Sequence, residues 1–291
     1  MSEKNIIKIF HQMAFPVEIK CIVCDCELDK DCPNSICGSC DLTSETNQTF
    51  CHLCGRAFEN TNDKTLDCLK KLKDSQTLDT SGNQADILNA EFSAFLNSSV
   101  QSNNSQPNIL CSKCKKQRPH FDKARSPFIY KNNVISLVYK LKYGNARFLA
   151  KYLAFFMQNQ IAQFGQIDFI TFVPLFKHKQ KLRGYNQAHL LAKHIGENSN
   201  LKCINLLKKA NPIAKYKNTA KLSRQDRIKS IQNSISINHE KNPGKYIQNK
   251  NILLVDDVLT SATTANECAK VLKQNGAKSV FVLSFATSTN K

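Results

Sequence analysis

Ile252-Leu253-Leu254-Val255-Asp256-Asp257-Val258-Leu259-Thr260-Ser261-Ala262-Thr263-Thr264 is the stretch on which the fold turns. An unbroken apolar run enters two adjacent acids and a turn of small hydroxyl residues, and a helical pattern follows. Strands buried on both faces of a parallel sheet carry such uninterrupted apolar runs. A hydroxyl-rich turn at the next helix N-terminus offers free N–H groups and a positive dipole end to an anion. The two carboxylates ahead of it cannot hold phosphate. They suit sugar hydroxyls, or a Mg²⁺ ion shared with a pyrophosphate. The plainer alternative is an ordinary strand and loop with an acidic tip.

Outward from this stretch, helical and strand periods alternate from Ser126 onward. Helices are predicted over 133–142 and 146–160, with Val134, Leu137, Val138 and Leu141, then Phe148, Leu149, Tyr152, Leu153 and Phe156, facing inward. A strand over 168–173, a helix over 186–196, a strand over 251–255, a helix over 263–275 and a strand over 279–286 complete the pattern. Such an order predicts an α/β fold with a mainly parallel sheet flanked by helices, whose ligands sit beyond the strand C-termini. Two further loops fall at that edge. Pro174 to Gln187 sets Lys177, Lys179, Lys181 and Arg183 between a strand end and a helix start. Arg183 is able to grip a pyrophosphate bidentately, and the lysines act as point charges. Leu222-Ser223-Arg224-Gln225-Asp226-Arg227 lies in a polar stretch and reads as a mobile flap or as solvated charge.

Thirteen cysteines, with no apolar secretion signal ahead of them, point to metal rather than to a disulfide framework. Cys21-x2-Cys24 and Cys37-x2-Cys40 are twelve residues apart, close to the spacing of two knuckles folded over one tetrahedral Zn²⁺. Cys51-x2-Cys54 and Cys111-x2-Cys114 repeat the knuckles with fifty-six residues between them. Loop closure grows only by about 0.6 kcal/mol per doubling of length, so this pair can still share an ion. Two structural Zn ions are therefore expected, with Gly38 and Gly55 serving the tight knuckle turns. Cys26, Cys32, Cys68, Cys203 and Cys268 have no partner at ligand spacing, although Cys26 competes with Cys24 for the first site.

The net charge of +18 hides an asymmetry: residues 109–291 carry 32 Lys+Arg against 8 Asp+Glu, whereas residues 1–108 carry 9 against 15. A field that strong draws in polyanions, either nucleic acid or a phosphorylated small molecule. Single strands would be held by this charge together with aromatics such as Tyr130, Tyr139, Tyr143 and Tyr185. Residues 59–107 are rich in Asn, Ser, Thr, Gln and Asp and read as a disordered insertion. Ahead of Pro16, Ile6, Ile7, Ile9, Phe10, Met13 and Ala14 recur at helical spacing and suggest a docking helix over 1–18. No apolar stretch approaches the roughly 20 residues of a membrane span, and a cytoplasmic location is expected.

The acid pair with its hydroxyl turn resembles the phosphoribosyl pyrophosphate (PRPP) loop of type I phosphoribosyltransferases. Ala262 replaces the glycine usual in that turn, and its methyl group fits beside a phosphate only with a negative φ. The paired cysteine knuckles, Leu141-Lys142-Tyr143-Gly144, Val173-Pro174-Leu175, Arg183-Gly184-Tyr185-Asn186-Gln187, and Leu222-Ser223-Arg224 with Arg227 extend the likeness. Together they resemble the ComF family of competence proteins over almost the whole chain except the insertion. Asn218-Thr219-Ala220-Lys221 stands where the family often carries a glutamine.

The resemblance implies a double zinc ribbon over 19–58 and 108–120 and a phosphoribosyltransferase-like domain over 121–291. It also implies a PRPP/Mg pocket supporting single-stranded DNA handling in natural transformation, in contact with the DNA-uptake machinery. In such a pocket Asp256 and Asp257 orient the ribose hydroxyls, and Thr260, Ser261, Ala262, Thr263 and Thr264 hold the 5′-phosphate. Arg183, Lys177, Lys179 and Arg224 meet the pyrophosphate. The alternative is an active phosphoribosyltransferase with an unknown nucleobase-like acceptor.

Overall fold

The computed structural model describes residues 20–28, 36–40, 42–58, 109–209 and 234–290. The expected docking helix over 1–18, the insertion over 59–107, and the segment 222–227 with Arg224 lie outside the described residues, as do Cys32 and Cys68. The chain divides into two compact units, Met1–Ser44 and Glu45–Lys291. The first contains a bridge between Lys20 and Glu27 around one knuckle, and a short 3-10 turn, Gly38–Cys40, within the second.

The second unit runs β1 (Ala57–Phe58), α1 (Ser112–Lys116), β2 (Lys123–Arg125), β3 (Phe128–Ile129), α2 (Asn132–Tyr143), α3 (Leu149–Gln158), β4 (Phe169–Phe172), α4 (Lys177–Arg183), α5 (Gln187–Ser199), β5 (Leu207–Lys209), β6 (Ile235–Ile237), α6 (Gly244–Ile247), β7 (Asn251–Leu259), α7 (Thr263–Gln274), β8 (Ser279–Thr287) and β9 (Thr289–Asn290). The main sheet is ordered β2-β8-β7-β4, β3 also pairs with β8, and every pairing is parallel. This is the mainly parallel sheet flanked by helices that the apolar runs predict. Ile252 to Val255 on β7 and Val280, Val282 and Leu283 on β8 are wholly buried. A separate antiparallel pair joins β5 to β6.

Amphipathic spacing places the helices. Val134, Leu137, Val138 and Leu141 line the buried face of α2, and Leu149, Leu153 and Phe156 that of α3. Phe148 departs from the expectation at 62 % exposure: it precedes the first turn of α3, so the helical period does not carry it inward. Asn186 starts α5, accepting from Ala188 N at 3.0 Å while its amide donates to Val173 O at 3.0 Å. One side chain thus caps the helix and ties it to the end of β4.

Two local differences matter for the site. The segment after β4 is not an open loop: 177–183 form α4, which ends at Gly184 with φ 78, a left-handed position where a Cβ would meet the Arg147 guanidinium at 2.8 Å. β7 does not stop at Val255 but continues through both acids to Leu259, because β8 runs alongside it, with Val258 opposite Ala286 and Leu259 opposite Thr287. No helix among the described residues is long and apolar enough to cross a membrane.

Candidate functional site

The eight knuckle cysteines form two sets. In the first unit, Cys21, Cys24, Cys37 and Cys40 bring their sulfurs within 4.8 Å of one another, and so do Cys51, Cys54, Cys111 and Cys114 in the second. The Cys24–Cys37 and Cys54–Cys111 sulfur separations are 3.7 and 3.8 Å. An edge of about 3.8 Å is that of a tetrahedron with metal–sulfur bonds of about 2.3 Å. In each set a knuckle amide donates to a sulfur of the other knuckle: Cys37 N to Cys21 Sγ at 3.4 Å, and Cys111 N to Cys51 Sγ at 3.3 Å. Arg56 also donates to Cys111 Sγ at 3.8 Å, so a cation faces the thiolate-rich second cluster. A hydrogen bond from the Cys54 thiol is the largest influence on Cys51 and holds it down at about 4. Four thiols at this separation fit a tetrahedral dication and leave no open position, the pattern of a structural site.

Of the two knuckle glycines, only Gly55 is required by its surroundings: it has φ 67, and a Cβ there would collide with the Ala124 carbonyl oxygen. Gly38 has open space around it. The second cluster belongs to the sheet unit. β1 pairs in parallel with β9, Ala57 opposite Thr289, and Ala124 N donates to Leu53 O at 2.8 Å inside the knuckle.

The acid pair sits on β7, where Asp257 is 4 % exposed and Asp256 is partly buried. Each carboxylate takes the next backbone N–H: Asp257 N donates to Asp256 Oδ1 at 2.9 Å and Val258 N to Asp257 Oδ1 at 2.7 Å. Lys142 Nζ lies 3.1 Å from Asp257 Oδ2 as an ion pair, yet that oxygen accepts no well-aligned hydrogen bond. Burial, then the neighbouring Asp257 charge, pushes the Asp256 carboxyl up to about 7. Lys142 and Lys209 act in the opposite direction. Burial lowers the Lys209 ammonium, which rests over the Phe176 ring at 4.6 Å with the Lys179 charge nearby. Two acids and several cations therefore converge where β7 and β4 end.

Thr260 to Thr264 form the turn into α7. Ser261 and Thr263 hydroxyls are hydrogen-bonded at 2.9 Å, Ser288 Oγ donates to Thr260 O at 3.0 Å, and Lys113 Nζ donates to Ser261 O at 3.2 Å. The expected cations are spread along α4: Lys177 and Lys179 are exposed, while Arg183 donates to Gln187 Oε1 at 2.5 Å and lies over the Tyr143 ring at 5.0 Å. Lys113 and Lys209 escape sequence reasoning because nothing in their local pattern separates them from other lysines. Lys142 had a signal, since it follows the last core position of an amphipathic helix. Tyr185 does not offer a stacking face as expected; it is 6 % exposed and donates to Leu141 O at 2.5 Å.

Ala262 lacks the negative φ that a phosphate close to its methyl group would require. It has φ 61 and ψ 5, a left-handed backbone at the N-terminus of α7. A left-handed residue bearing a Cβ is strained by about 1 kcal/mol or more. Ala262→Gly is therefore expected to raise the melting temperature by about 2–4 °C, the usual response of a domain of this size to 1 kcal/mol. A lower melting point for that variant would mean the methyl group is packed rather than strained.

No family model matches the chain. Competence protein F of Haemophilus influenzae (strain ATCC 51907 / DSM 11121 / KW20 / Rd) is 32% identical over 183 residues, covering 60% of this chain and 77% of that protein. DNA utilization protein YhgH of Salmonella typhi is 25% identical over 185 residues, 60% of this chain and 77% of the relative. Competence protein ComFC of Streptococcus pneumoniae (strain ATCC BAA-255 / R6) is 25% identical over 161 residues, 54% of this chain and 64% of the relative. Among solved structures, the glutamine PRPP amidotransferase of B. subtilis aligns with a TM-score of 0.31 and 18% identity, covering 47% of this chain and 26% of that one. A likeness that slight carries no weight beside the sequence match. With 32% identity across more than two thirds of Competence protein F, the chain belongs to the ComF family of competence proteins.

Proposed function

We propose that this protein binds PRPP with Mg²⁺ at the ends of β7 and β4, carries one structural Zn²⁺ in each four-cysteine set, and handles single-stranded DNA during natural transformation with the DNA-uptake machinery. The observation that carries the pocket is the acid pair on β7, with Lys142 3.1 Å from Asp257, immediately ahead of the hydroxyl turn. In this reading Asp256 and Asp257 accept hydrogen bonds from the ribose hydroxyls. The amides of Thr263 and Thr264 in the first turn of α7, together with its dipole, hold the 5′-phosphate, while left-handed Ala262 turns the chain ahead of them. Lys209, Lys179 and Lys177 neutralise the pyrophosphate. Bound Mg²⁺ supplies charge neutralisation between pyrophosphate and carboxylates. Calorimetric titration of PRPP with Mg²⁺ is expected to give micromolar binding that needs the cation, and a flat titration would remove the pocket. An active transferase rests on the same acid pair and would release pyrophosphate when supplied with its acceptor.

DNA handling is supported by the names of the relatives, by the basic composition, and by an exposed ring pair on α2. Tyr139 and Tyr143 are 62% and 65% exposed with centroids 5.1 Å apart. No acidic residue lies on α2, α3 or α4. Base–aromatic stacking is worth roughly 1–3 kcal/mol per base, so Tyr139→Ala with Tyr143→Ala should weaken binding of a labelled single strand at least tenfold by anisotropy. Wild-type affinity should also fall steeply between low and physiological salt. An unchanged affinity in the double variant would exclude this ring pair as the strand's platform.

A further inference from the structure

The second four-cysteine set is fastened to the hydroxyl turn. α1 carries Lys113 between two ligand positions, Cys111 and Cys114, and it is this lysine whose ammonium rests on Ser261 O at 3.2 Å. The segment leaving the knuckle then grips α7 twice more. His120 N donates to Asn266 Oδ1 at 2.6 Å on the first turn, and Asp122 pairs with Lys273 at 2.8 Å on the last. The helix that presents its N-terminus to the turn is thus tied at both ends to the metal-binding segment.

Lys113 is also underused. An ammonium has three donors. One goes to Ser261 O, and among the described residues no carboxylate pairs with Lys113. Its side chain is exposed, and among the described residues no counter-ion stands beside it. The root of that side chain is set by the chelate loop: Cys111 N is bonded to Cys51 Sγ at 3.3 Å, and the Cys54 and Cys111 sulfurs are 3.8 Å apart. Fifty-six residues of chain separate these two knuckles in sequence, so a metal ion held by the four cysteines would be a short link between them, beside the bond from His52 N to Ile109 O at 2.8 Å.

We propose that Lys113 is a phosphate-binding residue of the pocket, contributed by the metal knuckle, and that metal occupancy of the second set governs the pocket's affinity for a sugar 5′-phosphate. The inference rests on the PRPP reading. It adds a residue outside every motif of that reading and gives the fused ribbon a task at the site. With metal bound, the lysine is held beside the turn and its two remaining donors reach an incoming phosphate. Without metal, α1 loses the bond network that fixes its position, and the charge is no longer held there.

The test is calorimetric titration of three probes into the metal-replete full chain: ribose 5-phosphate, inorganic pyrophosphate, and PRPP with Mg²⁺. Lys113→Ala should weaken ribose 5-phosphate and PRPP roughly tenfold, the effect of losing one charged hydrogen bond. Pyrophosphate binding and metal content should not change. Lys113→Arg should restore most of the loss. Stripping the metal should weaken wild type at least as much as Lys113→Ala, yet add little to the Lys113→Ala chain, because both remove the same contact. Far-UV circular dichroism on each stripped sample shows whether it remains folded. If wild type binds and Lys113→Ala binds equally well, the proposal is overturned while the pocket stands. An equal loss for pyrophosphate also overturns it, since that would be a general charge effect. No binding of PRPP by wild type overturns both readings.

Discussion

Asp256→Asn is expected to abolish Mg-dependent PRPP binding and at the same time to stabilise the free protein above neutral pH. The stability argument follows from the proton balance. Asp256 titrates near 3.8 in its ordinary state and at about 7 in the fold. Between those values the folded chain holds a proton that the unfolded chain has lost, so stability falls as pH rises and the loss is complete above about pH 7. Asparagine has no proton to lose. Since Asp256 is partly exposed, solvent moderates the effect, and about 1–2 kcal/mol at pH 8 is a reasonable expectation. Thermal melts of wild type and variant from pH 4 to pH 8 measure it: the curves should converge at low pH and separate above neutrality. Parallel curves would mean that the acid pair is solvated and not strained. Asp257→Asn should also lose binding without the stability gain, because it removes the partner of Lys142. A site that is strained when empty and relieved by a cation and its ligand is the usual sign of function placed ahead of stability.

Loss of the two metal sets should have very different consequences. Cys51→Ser is expected to lower the melting temperature of the sheet unit markedly without unfolding it at room temperature, since a structural Zn²⁺ in four thiolates contributes folding free energy directly while the buried core of β7 and β8 remains. Its ligands Cys51, Cys54, Cys111 and Cys114 are all buried within that unit. Cys21→Ser should leave the same transition in place, because the first set lies in a separate compact unit. Metal analysis should read about two ions in wild type and about one in Cys21→Ser. Equal damage from both substitutions would mean that the two units melt as one.

Much of this was legible in the residues. Apolar runs on β7, β8 and β4 and the core faces of α2 and α3 declare the sheet and its flanking helices, because each face has a single period that burial enforces. The cysteine sets were legible by spacing, even across fifty-six residues, because knuckles are local. What escaped was set by tertiary neighbours. The extension of β7 through Asp256 and Asp257 depends on β8 beside it, and the left-handed Ala262 violates the preference of its residue type. α4 carries no helical signal in the sequence, since its cations have no apolar partners to mark a buried face. Lys113 and Lys209 gain meaning only from what the fold brings alongside them.

The order of strands constrains how the sheet unit can assemble. β8 lies between β7 and the β2 and β3 pairings, yet it follows all of them in the chain, and β9, which closes against β1, comes later still. During synthesis β4 and β7 can pair with each other, but β2, β3 and β7 all emerge before the strand that joins them exists. Their apolar edges stay open throughout that interval, the circumstance in which chains are most prone to aggregate. A cysteine cluster assembled across the two knuckles in that interval would hold the emerging ribbon together while the sheet waits for its central strand.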